Sequence, residues 1–157
     1  MFSEKNWANT YMNKMAAVLK GQVIMEIKTG ITGEELKKLR SAVGWVDVSV
    51  EQLQRAVDHS MVTVGVYEDG EIIGCGRLIG DFSCKSKLTD IIVLPEHQRK
   101  GYGRMIVQRI FDEAEKKMSD GEYLSIGADP TPGHLDFYKY FGMEEEGEMA
   151  VPIWLKK

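Results

Sequence analysis

The sequence predicts one mixed α+β domain built on a largely antiparallel sheet, and three observations carry that prediction. Residues 61–94 hold three strand-like runs in succession, the first two joined by the hairpin turn Glu68-Asp69-Gly70. The third run, Leu88 to Leu94, is apolar and rich in branched side chains, and ends at Pro95, which has no N–H for a ladder. It feeds a glycine-rich loop and then a helix, and helical segments also precede the meander. At 157 residues the chain is long enough for a real core but short for two domains.

The chain opens with an N-terminal extension, residues 1–21. In it Trp7, Tyr11, Met15 and Leu19 recur every four residues, the spacing of an apolar helix stripe, and Gly21 ends it. That helix either packs on the domain or serves as a dimer contact or flap. The main domain spans 22–157. Gln22 to Lys28 alternates as a first strand. Thr32 caps a helix with Glu34 and Glu35 in its first turn and Arg40 near its end, as the helix dipole prefers, and Gly44 stops it. Ser49 opens a second helix through Asp58. Between them lies Trp45, a core residue or a wall of an acceptor pocket.

Met61–Tyr67 and Glu71–Gly80 make the hairpin. After the central strand, Tyr102 to Met118 reads as a helix with Ile106, Ile110 and Ala114 on its inner face. Glu122–Gly127 is a further strand, His134–Phe141 a short helix, and Met143–Glu148 with Met149–Leu155 a closing hairpin.

Hydrophobic residues make up 43% of the chain, charged residues 28%, and the net charge is −4. These values suit an ordinary globule and argue against general nucleic-acid binding. The two cysteines, Cys75 and Cys84, have no metal-ligand spacing, so no metal is expected, and they read as reduced thiols. No run approaches the roughly 20 apolar residues of a membrane span, and the N-terminus lacks the basic-then-apolar order of a signal peptide. A cytoplasmic protein with no membrane partner is the expectation.

Against the acidic whole, the stretch from His97 to Phe111 carries Arg99, Lys100, Arg104 and Arg109 and no acid. A strand that runs into a glycine-rich helix start presents free N–H groups and the positive end of a dipole, an anion site suited to phosphate or pyrophosphate. The loop is shorter than that of a P-loop and lacks the spacing of a dinucleotide fingerprint.

The spacing Gln98-x-x-Gly101-x-Gly103 resembles the Q/R-x-x-G-x-G/A signature of the GNAT superfamily of N-acetyltransferases. Phe137-Tyr138-Lys139-Tyr140-Phe141-Gly142-Met143 resembles a second family segment, on the short helix after the fifth strand. The resemblance covers about residues 22–155. It implies the GNAT fold: a central mixed, mostly antiparallel, twisted sheet of six to seven strands flanked by about four helices, here with the extra N-terminal helix. Three short stretches, Leu39–Trp45, Asp90–Val93 and Gly147–Met149 running into Ile153-Trp154, are similar to the serotonin (arylalkylamine) N-acetyltransferases of plants and their bacterial relatives. One departure concerns the position after the fifth strand, where many members carry an Asn that touches the cofactor. This chain has Gly127-Ala128-Asp129.

The resemblance implies acetyl-CoA as donor and a small primary amine, an arylalkylamine or polyamine, as acceptor. A protein N-terminus or lysine is the alternative within the class. A non-catalytic acyl-CoA-binding module is the alternative outside it. The loop residues Gln98, Arg99, Lys100, Gly101, Tyr102, Gly103 and Arg104 would hold the pyrophosphate. The backbone of Ile91, Ile92 and Val93 would pair with the pantetheine arm, the Val93 N–H serving as oxyanion donor. Tyr138 matches the family's general acid near the sulfur, with Tyr140 behind it.

An alkylammonium of pKa about 10.4 costs about 4–5 kcal/mol to deprotonate at pH 7, so a base or a water relay is needed. Asp90, a carboxylate in an apolar strand, is either that base or a buried acid paired with Arg77 or Lys87. His97, read as an exposed turn residue, and His134 titrate in the useful range. Glu144, Glu145, Glu146 and Glu148 are either a solvated face or an attractor for a cationic amine.

Overall fold

The computed structural model describes residues 21–146 and 149–157. The N-terminal helix expected over residues 1–20 lies outside the described residues. The strands are β1 (Met25–Thr29), β2 (Val62–Glu68), β3 (Glu71–Gly80), β4 (Lys85–Val93), β5 (Tyr123–Ala128), β6 (Glu145–Glu146) and β7 (Met149–Lys156). The helices are α1 (Gly33–Ala42), α2 (Val50–Asp58), α3 (Tyr102–Lys116) and α4 (Leu135–Lys139), with a 3-10 turn at Pro95–His97.

Local chemistry explains the boundaries. Thr32 Oγ1 accepts from the Glu35 N–H at 3.1 Å while Glu35 accepts from the Thr32 N–H at 2.8 Å, a reciprocal cap that starts α1. Ser49 caps α2 through the Gln52 N–H at 3.2 Å. Asp69 and Gly70, with φ of 50° and 88°, make a two-residue turn whose positive dihedrals match the twist of β2 and β3.

The sheet has seven strands in the order β1-β2-β3-β4-β5-β7-β6. Every pairing is antiparallel except β4 with β5, which is parallel. Helices α1 and α2 cover one face, with their Leu36, Leu39 and Leu53 clustered with Ile31, Tyr67, Cys75 and Ile92. Helix α3 covers the other, with Ile106, Val107, Ile110 and Phe111 packed against Val64, Val66, Leu78, Leu88 and Leu124. The result is the expected α+β arrangement, a mixed sheet with four helices on its faces.

Two irregularities shape the second half of β4. Strand β5 pairs with β4 only from Lys85↔Ser125 to Leu88↔Ala128, so β4 beyond Leu88 leaves its parallel neighbour. Opposite β3, Thr89 pairs with Arg77 and Ile92 with Cys75, so two residues of β4 face Gly76 alone. This is a bulge, with Asp90 at φ 49°. The bulge reverses the alternation: Leu88 points to the α3 side, and beyond it Ile91 and Val93, not Ile92, join that side.

Candidate functional site

The splay between β4 and β5 opens a cleft of about 110 Å³ lined by Trp45, Lys87, Leu88, Thr89, Asp90, Ile91, Asp129, Thr131 and Tyr138. In the sequence these residues stand on four separate segments. The parting of the two strands brings them together.

Asp90 is buried, its side chain 3% exposed. Arg40 Nη1 of α1 lies 2.6 Å from Oδ1, and Arg77 Nε of β3 lies 2.7 Å from Oδ2. Arg77 also donates 2.9 Å bonds to the Ala56 carbonyl at the end of α2 and to Ser60. The bulge therefore ties both face helices to the central strand. A carboxylate with a guanidinium on each oxygen is a poor base, since taking a proton would break two charge-assisted bonds. Of the two readings of Asp90, the geometry favours the buried, paired acid. Arg77 is one of its partners; the other is Arg40, and Lys87 pairs with Asp129 instead. Nothing local in the sequence links Arg40 to Asp90, fifty positions on, and Arg40 also meets a helix dipole's preference.

Beyond the bulge the edge of β4 is open. The Leu94 N–H donates to the Ile73 carbonyl at 2.8 Å, so strand alternation turns the N–H and carbonyl of Val93 away from β3, toward the splay. The Val93 carbonyl accepts from Gln98 Nε2 at 3.0 Å. Gln98 thus braces the end of the strand.

The loop after β4 curls. Arg99 has φ 65° and Gly101 φ 90°, and Gly101 starts α3 with no side-chain cap and no acid in the first turn. Among the described residues no backbone carbonyl receives the N–H groups from Arg99 to Arg104. Such a concave row of N–H groups at a helix start is an anion cradle. At Gly101 the left-handed backbone requires glycine. At Gly103 the reason differs: a Cβ would lie 3.1 Å from the Phe137 ring. The Phe137 ring in turn packs edge-on to Tyr138, centroids 5.0 Å apart. The cradle and the tyrosine are thereby fixed to one another. Arg99, Lys100 and Arg104 are exposed, and Arg104 lies 4.0 Å over the Tyr140 ring. That contact accounts for Tyr140, which is 60% exposed and turned away from the cleft-lining Tyr138.

Tyr138 is 7% exposed. Burial, with the charge of Asp129 adding to it, pushes its phenol up to about 12, so it carries its proton throughout the neutral range. His97 differs from expectation. The 3-10 turn folds it back so that its side chain is only 13% exposed, with Nε2 3.7 Å from Glu68 and the ring beside Tyr102. His134 is exposed just ahead of α4, with Nδ1 3.3 Å from the Pro132 carbonyl. Neither histidine lines the cleft. No group of three or more His, Cys, Asp and Glu suited to a metal ion occurs among the described residues.

The free cradle, the glycine against Phe137 and the open edge of β4 fit a long ligand with a pyrophosphate at one end and a reactive group at the Tyr138 end. Similarity to known proteins agrees. The model of the acetyltransferase (GNAT) family matches residues 33–143. The uncharacterized N-acetyltransferase ycf52 of Gracilaria tenuistipitata var. liui is 28% identical over 124 residues, 76% of this chain and 66% of that protein. The chain spans 62–66% of the length of this relative and of the ycf52 and ycf52-like proteins of Porphyra purpurea and Prochlorococcus marinus. A probable acetyltransferase of methicillin-resistant Staphylococcus aureus superposes with a TM-score of 0.69 at 22% identity, over 79% of this chain and 92% of that one. An acetyltransferase of Brucella melitensis in complex with acetyl-CoA superposes with a TM-score of 0.60 at 15% identity, over 85% of this chain and 88% of that one. At these identities the two structures speak for the fold.

Proposed function

The chain belongs to the acetyltransferase (GNAT) family, and on that premise we propose that it is an N-acetyltransferase that passes an acetyl group from acetyl-CoA directly to a primary amine. The observation that carries the reading is the cleft at the β4–β5 splay, where a buried, proton-bearing Tyr138 lines the same opening as Ile91, past which the edge of β4 is unpaired. Acetyl-CoA supplies an acyl group activated as a thioester.

The chain's own residues have distinct tasks. The N–H groups from Arg99 to Arg104 receive the pyrophosphate, with screened attraction from the Arg99, Lys100 and Arg104 side chains. Ile91, Ile92 and Val93 offer a strand edge to the pantetheine arm, and the Val93 N–H is a donor for developing negative charge on the acyl oxygen. Tyr138 donates its proton, or a hydrogen bond, toward the departing sulfur, while the attacking amine gives up its protons to water in the cleft, from which Tyr138 is reprotonated. Asp90 acts as a positioning residue: clamped by Arg40 and Arg77, it fixes the bulge that aims the rest of β4. Trp45 offers an aromatic wall, which makes small arylalkylamines the first acceptors to try, ahead of polyamines and protein amines.

The test is release of CoA thiol from acetyl-CoA with arylalkylamines, polyamines, amino acids and a lysine peptide. Turnover on one class supports the reading. Tight acetyl-CoA binding with no turnover on any amine would replace it with a binding module.

A further inference from the structure

We propose that Asp129 is the carboxylate that receives the acceptor's ammonium group, and that Lys87 holds its place until an acceptor arrives. This rests on the reading of the cleft as an acetyl-transfer site.

The described residues that line the cleft include two acids, Asp90 and Asp129. Asp90 is buried with both oxygens taken by arginines. Asp129 stands at the mouth, its side chain 68% exposed, and its ion-pair partner is the ammonium of Lys87, 43% exposed. Both residues line the cleft with Tyr138, and the charge of Asp129 is felt at the Tyr138 phenol.

The partner defines the ligand class. Lys87 Nζ is itself a primary alkylammonium on a methylene chain, so Asp129 already holds the chemical group an amine acceptor would present. An exposed ion pair is weak because both charges stay hydrated and the lysine stem loses rotamer freedom. Exchanging one primary ammonium for another at Asp129 therefore costs little. The freed lysine swings to solvent, and Trp45 and Thr131 remain to contact the acceptor's carbon skeleton.

Brace and placeholder predict opposite results. The experiment is titration calorimetry of 2-phenylethylamine and n-butylamine into the protein saturated with CoA, alongside an acetyl-CoA titration. Asp129→Asn should weaken amine binding about two- to fivefold, the worth of an exposed ion pair. Lys87→Met should tighten it about two- to fivefold by removing the competing ammonium, and Lys87→Arg should restore competition. Acetyl-CoA affinity should stay within about twofold in both Lys87 variants, and in Asp129→Asn, at the position where many family members carry a cofactor-touching Asn, it should not fall. A shift of Asp129→Asn and Lys87→Met in the same direction would overturn the proposal, as would unchanged amine affinity in Asp129→Asn. Failure of the wild-type protein to bind either amine below about 10 mM would also overturn it. Failure to bind acetyl-CoA would instead remove the transferase reading beneath it.

Discussion

Replacing Asp90 by asparagine removes the carboxylate shared by Arg40 and Arg77 while keeping the side chain's shape. Two guanidiniums are then left facing each other, with side chains 20% and 11% exposed and no counter-charge between them. Stranding one partner of a buried pair costs about 3–5 kcal/mol. Arg40 sits near the surface with its guanidinium 5.2 Å from the Trp45 ring, and has room to turn outward, so the lower end, about 3 kcal/mol, applies. For a chain of this size that is a fall of about 6–12 °C in Tm. The backbone adds a second comparison. At φ 49° an alanine is strained and a glycine is not, so Asp90→Gly should be about 1 kcal/mol more stable than Asp90→Ala. Urea denaturation followed by tryptophan fluorescence measures all three variants. An Asp90→Asn protein within about 1 kcal/mol of wild type, yet a hundredfold slower in acetyl transfer, would refute the structural assignment and make Asp90 the base.

The folded-state phenol of Tyr138 is raised to about 12, above the unfolded value near 10. Its share of stability is therefore fully present below pH 10 and lost as pH rises from about 10 to 12. Tyr138→Phe should flatten that part of the pH–stability curve, and wild-type kcat should show no alkaline loss from this group below pH 10. Gly103→Val forces a branched side chain onto the Phe137 ring and should raise the acetyl-CoA Kd at least about tenfold. Arg104→Ala should raise it several-fold at low salt and much less at 0.5 M salt, since the contribution is an exposed charge. Cys75 is buried and its thiol pushed up in pKa by that burial, whereas Cys84 is exposed. A chromogenic disulfide reagent should titrate one thiol in the native protein and two in denaturant.

What the sequence discloses is what local chemistry decides. Caps at Thr32 and Ser49, the Asp69-Gly70 turn and the glycines of the Gln98–Arg104 loop each act within a few residues, so the order of elements is readable from them. Strand ends move by up to three residues, as at β1, because pairing rather than propensity sets them. What escapes is non-local. The bulge at Asp90 exists because β3 offers Gly76 alone to two residues of β4, and no count of alternation along β4 by itself reveals that. Arg40 reaches Asp90, and Lys87 reaches Asp129, only after α1 and the strand–loop segments are packed. His97 looks like a turn residue and is covered because the turn is a 3-10 turn that folds back on Glu68 and Tyr102. The cleft itself is the space between two parallel strands that part after Leu88, a property of the sheet.

The central claim is that Tyr138, held against the loop through Phe137, serves the departing sulfur. Its most direct test is steady-state and single-turnover acetyl transfer by Tyr138→Phe with the best amine found for the wild-type protein. The acetyl-CoA Kd should be measured on the same samples. With the phenol hydroxyl removed, kcat should fall about 10²–10⁴-fold, the range for loss of a general acid, while acetyl-CoA affinity changes less than about threefold. Full activity in the variant would contradict it, and an equal loss of activity and acetyl-CoA binding would make Tyr138 a binding residue.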